Sequence, residues 1–154
     1  MKTALLISGH IRSIDKTIEN LIELKEKINA DIFIHTWSER ESSINSWREY
    51  KKYDENIDTN NKYIKILNPK SIEVENPTEV RNNIVKEFNM NSYSKEILPI
   101  FYQLYGINRV FQLMNEFSIK KNINYSCIIR YRFDLVCNKL NSFKKDIRKI
   151  VENR

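Results

Sequence analysis

Between Thr3 and Trp37 the chain reads TALLIS, a mixed polar and apolar segment, then ADIFIHTW, and this order constrains the fold more than any other feature. The two outer runs are apolar and rich in strand-forming residues. Between them Ile14, Ile18, Leu21, Ile22 and Ile28 recur at helical spacing, after Ser8 and Gly9 have ended the first run. Ser13 stands where a helix cap is wanted and Asp15 falls in the first turn, where the helix dipole favours an anion. Strand, helix and strand joined by short links predict a βαβ unit with parallel strands. The expected class is therefore α/β, a mostly parallel sheet flanked by helices.

The rest of the chain extends this pattern. From Ser38 to about Lys62 the sequence is polar, and Ile44, Trp47 and Tyr50 suit either a short amphipathic helix or a loop beside a site. YIKIL at 63–67 leads into the turn signal Asn68-Pro69, SIEVE at 71–75 predicts a short strand, and Val80, Ile84, Val85 and Phe88 suggest a helix over 78–90. Pro99 is suited to open a helix that runs to about Lys121, because Ile100, Phe101, Leu104, Ile107, Val110, Phe111, Met114 and Phe117 make a broad apolar stripe. CIIRYRFDLVC at 127–137 has the texture of an interior strand, and Phe143, Ile147, Ile150 and Val151 suggest a terminal helix. The expected order is β-α-β, loop, β, α, β, α: one α/β domain over 1–138, with 139–154 as its last helix.

Composition narrows the function classes. No apolar run reaches the ~20 residues of a membrane span. The net charge is +6, but lysines are scattered rather than gathered into aromatic-interleaved basic clusters, which argues against nucleic acid as the partner. Two histidines and two cysteines make a zinc site a poor expectation. Cys127 and Cys137, roughly 33 Å apart on a fully extended strand at ~3.3 Å per residue, could not bond each other, as suits reduced thiols in a cytoplasmic protein.

In open parallel sheets ligands bind beyond the carboxyl ends of the strands, which singles out three groups. Ser8, Gly9 and Arg12 follow the first strand: a glycine permits close backbone approach, a helix start offers free N–H groups, and Arg12 adds a phosphate-matching fork. An ordinary turn with a surface arginine fits them equally well. At the end of the second strand His35 either bonds a ligand or serves as a structural hydrogen-bonding residue, and Trp37 either covers a nucleobase or closes the core edge. Arg130, Arg132 and Asp134 alternate along CIIRYRFDLVC and should project from one face. Buried unpaired charge costs several kcal/mol, so these three pair internally, face solvent or line a ligand cavity. One arginine pairs with the aspartate, and a diphosphate suits the cation left over.

SGHIR, DIFIHTW, the tyrosine-rich FYQLYGINRVFQLM and above all CIIRYRFDL together resemble a family of bacterial and viral surface-glycan glycosyltransferases. The similarity runs in order from Lys2 to about Asn138. It implies a Rossmann-like (GT-A-like) fold and glycosyl transfer from a nucleotide-sugar donor in surface polysaccharide or lipopolysaccharide biosynthesis, with a glycan or lipid-linked acceptor. The location it suggests is the cytoplasm or the membrane periphery. Ser8, Gly9, Arg12, His35, Trp37, Asn108, Arg130, Arg132 and Asp134 are the donor-binding residues so implied, and Asp134 the metal ligand. The motif holds one carboxylate where the family pattern has two, so dependence on a Mg or Mn cofactor stays open, since the arginines can neutralise a leaving diphosphate themselves.

About twenty residues follow Asp134, fewer than an acceptor site and a catalytic base require. The expectations are a truncated or split transferase completed by a second chain, or a non-catalytic nucleotide-sugar-binding module lacking the acceptor half.

Overall fold

The first two strands pair in parallel, as their sequence requires: β1 (Thr3–Ser8) runs beside β2 (Ala30–Trp37) in a register from Thr3 opposite Ala30 to Ser8 opposite His35. The computed structural model describes residues 2–40, 56–87, 97–139, 145, 146 and 149. Between the strands lies α1 (Ile14–Ile28), closed by Asn29 in the left-handed region at φ 49°, a conformation that asparagine tolerates. Ser13 does not cap α1 through its side chain. Its carbonyl instead accepts the Lys16 N–H at 3.0 Å and the Thr17 hydroxyl at 3.2 Å.

A short helix absent from the expected order, α2 (Lys62–Leu67), precedes β3 (Ser71–Glu75). The Asn61 side chain caps α2 by accepting the Tyr63 N–H at 3.0 Å, and Asn68 ends it at φ 46°. Asn76 then opens α3 (Pro77–Glu87) by accepting the N–H groups of Thr78 and Glu79. The long helix α4 (Ile97–Lys121) begins two residues before Pro99; proline is tolerated there because the first N–H groups of a helix have no partner within it. Last comes β4 (Cys127–Tyr131), and the sheet order is β3-β2-β1-β4, all parallel.

Alternation along the strands sorts the core into two layers. Leu5, Ile7, Ile32 and Ile34 pack with Ile14, Leu21, Leu24 and Ile28 of α1. On the opposite face Ala4, Leu6 and Phe33 meet Val110 and Met114 of α4. A third cluster sets Trp37 against Val80 and Ile84 of α3. This is an α/β, Rossmann-like architecture, and among the described residues no helix is long and apolar enough to cross a membrane.

CIIRYRFDLVC departs from its expectation. Only its first five residues form a strand, and that strand lies at the sheet edge rather than inside. Phe133 is the cause: its ring is 2% exposed and turns into the α1-side core, and the chain turns with it at Phe133 and Asp134. Side chains of α1 replace strand partners along this segment. The Thr17 hydroxyl donates to the Phe133 carbonyl at 2.5 Å, and the Asn20 amide pairs with both the N–H and the C=O of Cys137. Cys127 and Cys137 are not joined by a disulfide. The helix expected around Ile44, Trp47 and Tyr50, the continuation to Phe88 and the terminal helix through Phe143, Ile147, Ile150 and Val151 lie outside the described residues.

Candidate functional site

The three charges read as one face are divided between two places. Arg130, still on β4, is exposed on the α4 side of the sheet and has no ion-pair partner among the described residues. There it lines an open groove of about 390 Å³ with Asn108, Leu6, Leu104, Ile107, Val110, Phe111 and Ile128. Arg132 and Asp134 lie past the strand end, where Asp134 meets Arg12 from the loop after β1. This second place is at the carboxyl edge between β1 and β4. The chain leaves β1 toward β2 on one side and returns as β4 on the other, the switch point at which parallel sheets open a crevice.

Both Asp134 oxygens are engaged. Oδ1 accepts from Arg132 Nε at 2.9 Å, while Oδ2 accepts from Arg132 Nη2 at 2.8 Å and Arg12 Nη2 at 3.2 Å. Burial alone would raise the carboxyl pKa, but the Arg132 hydrogen bonds and charge, reinforced by Arg12, hold it below its ordinary value. Two guanidiniums against one carboxylate leave a formal charge of +1. The arginine side chains stay 38% and 37% exposed, so their remaining N–H groups are open to a ligand.

Gly9 forms the adjoining turn at φ 119°, where a side chain would be strained, and nothing stands within 4 Å of where its Cβ would lie. Its carbonyl accepts the Thr36 hydroxyl at 2.9 Å, and its N–H donates to the His35 carbonyl. The turn is thus tied to β2 below while its outer side stays open. His10, next in the turn, bonds the Glu39 carbonyl through Nδ1 at 3.1 Å; burial pulls its pKa down to about 4, so it is neutral at physiological pH.

Arg12, Arg132 and Asp134 converge, with Arg12 on the loop that begins at the Gly9 turn, whereas Ser8, His35 and Trp37 do not join them. Ser8 is 5% exposed and His35 is fully enclosed on the α4 side. Trp37 is 2% exposed among Tyr102, Tyr105, Val80 and Ile84, so its ring closes the core edge and is not free to cover a base.

Around His35, which does serve as a structural hydrogen-bonding residue, the structure assembles a polar network whose other members sequence reasoning missed. Strand register sets Ser8, His35 and Glu73 in one row, with Glu75 opposite Trp37 in the next. Glu75 accepts from His35 Nε2 at 2.8 Å and from the Tyr105 hydroxyl at 3.0 Å; Glu73 takes both arms of Arg109. A carboxylate only accepts, and burial lowers the His35 pKa despite Glu75, so Nε2 carries the proton and Nδ1 is left as a bare acceptor. That Nδ1 has no hydrogen-bond partner among the described residues. Gly106 explains how α4 comes so close: a Cβ there would lie 3.1 Å from it. The signals were present as two glutamates on one face of SIEVE, Tyr105 and Arg109 one turn apart, and one of only two glycines in the chain set inside a helix.

His35, Glu73 and Glu75 each offer one ligating atom within 4.8 Å of the others, a group that could hold a metal ion. Asp134, the expected metal ligand, fits one poorly, because a hard cation needs several free oxygens and Asp134 gives its own to two guanidiniums. Comparisons with protein-family models, curated proteins and solved structures found no match to this chain.

The clamp from α1 onto 133–137 makes its own prediction. Asn20→Ala frees both backbone groups of Cys137 and should cost about 1 to 2 kcal/mol in urea unfolding at neutral pH. An unchanged midpoint would show that the segment is held by Phe133 alone.

Proposed function

We propose that the chain is the donor-binding domain of a glycosyltransferase, holding the diphosphate of a nucleotide sugar at the carboxyl edge between β1 and β4. The observation that carries this is the convergence of Arg12 and Arg132, from loops 120 positions apart in sequence, beside the open Gly9 turn. A surface ion pair needs one cation for one anion. Here a surplus guanidinium stays exposed at a parallel-sheet switch point, and a diphosphate is the anion matched to two adjacent planar forks. The resemblance of SGHIR and CIIRYRFDL to surface-glycan glycosyltransferases supplies the sugar, and the rest of that assignment: a glycan or lipid-linked acceptor reached at the cytoplasmic side of a membrane. In such a transfer the guanidiniums would stabilise charge developing on the departing nucleoside diphosphate.

A second reading, a nucleotide-sugar-binding module that does not turn over alone, is favoured by one observation. Asp134, the carboxylate at this edge, is held ionised by two arginines and is a poor proton acceptor. A transfer would then draw its base from a further chain segment or a second polypeptide.

A thermal-shift panel of nucleoside diphosphates and their sugars tests the shared claim. UDP, GDP or a related nucleotide should raise the melting temperature, and Arg12→Ala and Arg132→Ala should abolish the rise while folding normally. No rise with any member of the panel would overturn both readings. Release of nucleoside diphosphate from a sugar donor that binds would favour the enzyme; binding without release would favour the module.

A further inference from the structure

Resting on the diphosphate site proposed above, we infer that this edge binds its ligand without a divalent cation, and that Asp134 is a positioning residue for Arg12 and Arg132. All three hydrogen bonds to its carboxylate come from guanidinium groups, one of them a two-armed fork at 2.9 and 2.8 Å. A Mg or Mn ion at Asp134 would displace this fork. It would also bring two further positive charges within a few Å of two guanidiniums, where repulsion is strong even at the effective dielectric of a protein surface. Mg typically fills its octahedral shell from one or two carboxylates, phosphates and waters, and Asp134 has no oxygen free of a cationic partner. The group of three ligating side chains that the described residues do assemble, His35, Glu73 and Glu75, does not include Asp134.

Positive occupation changes the role of the acid. Flexible arginine side chains lose conformational entropy when a ligand orders them, and a carboxylate that already orients both forks removes part of that cost before binding. The backbone that carries Asp134 is itself fixed, with the Phe133 carbonyl bonded to Thr17 and Cys137 bonded to Asn20. Two forks aimed by one anion, with spare N–H groups outward, suit the adjacent phosphates of a diphosphate better than a single phosphate.

The test is calorimetric titration of the full chain with UDP and with GDP, each in excess Mn²⁺ and in EDTA, at a temperature well below unfolding. The expected result is an affinity that agrees within about twofold between the two conditions, because no cation takes part. Asp134→Asn should weaken binding about 5- to 10-fold in both conditions, and Asp134→Glu should recover part of it, which a role in folding alone would not produce. If the Asp134 variants do not fold, Arg132→Lys serves: a point charge keeps the cation but loses the fork, and affinity should fall without gaining any Mn²⁺ dependence. Binding that appears in Mn²⁺ and vanishes in EDTA overturns the inference and leaves the diphosphate site standing. Absence of binding in both conditions defeats the diphosphate site itself, and the inference with it.

Discussion

Glu75→Ala is expected to lower the unfolding free energy by about 3 kcal/mol, the largest loss from any single polar side chain discussed above. The carboxylate satisfies two groups at once, the Nε2–H of the fully enclosed His35 and the Tyr105 hydroxyl. Removing it leaves a buried imidazole with neither nitrogen bonded among the described residues, since Nδ1 already has no partner there. It also releases Tyr105, whose pKa burial and the Glu75 bond together push up to about 12. Glu75→Gln keeps an acceptor in place and should cost roughly 1 kcal/mol. Gly106→Ala probes the same contact from the helix side. An alanine in a helix ordinarily gains about 1 kcal/mol over glycine, but here its Cβ would press on His35 Nδ1 at 3.1 Å, and the ring is held by Glu75, Trp37 and Tyr105. The substitution should destabilise in the native background and stabilise when His35→Ala has opened the space. Urea unfolding of the two single variants and the double variant reads this inversion, and a stabilising Gly106→Ala alone would show that His35 is not the constraint.

Stability should fall as pH drops from about 6.5 to 4. In the unfolded chain each histidine takes up a proton near 6.5, whereas burial keeps His10 neutral down to about 4 and lowers His35 in the same direction. Over that window the unfolded state binds more protons, so acidification favours it, and His10 alone accounts for about 3 kcal/mol by pH 4. Asp134 adds to the loss below its ordinary pKa of 3.8, because its folded value is depressed and its ion pairs persist until it protonates. Denaturant midpoints at pH 7.5 and 4.5 check this. His10→Asn should remove much of the slope, and equal midpoints for the native chain would contradict the neutral state of both rings.

The parallel sheet was legible because β1, α1 and β2 carry clean periodicities: eight apolar positions in TALLIS and ADIFIHTW face α1 or α4 by simple alternation. Its edge was not. CIIRYRFDLVC has strand texture throughout, but one residue, Phe133, finds more burial by turning into the α1 side than by continuing the strand, and nothing local announces that choice. The same turn moved Arg132 and Asp134 away from Arg130 and toward Arg12. The convergence of a charge at position 12 with charges at 132 and 134 was anticipated only as a shared sheet edge, since alternation orders residues along one strand and is silent about loops that meet across two. The His35 network escaped for a related reason. Nothing in the short strand SIEVE says that α4 will lay Tyr105 and Arg109 over Glu73 and Glu75, and the glycine that permits this approach reads locally as a weakness in a helix.

The site itself is best tested by nitrogen-15 NMR of the full chain titrated with UDP and GDP, following the arginine Nε–H signals and the Gly9 amide. The Nε–H signals of Arg12 and Arg132 and the Gly9 amide should move together and saturate at one ligand concentration, while that of Arg130 in the α4 groove stays in place. Movement of Arg130 without Arg12 and Arg132 would contradict the diphosphate site at the β1–β4 edge.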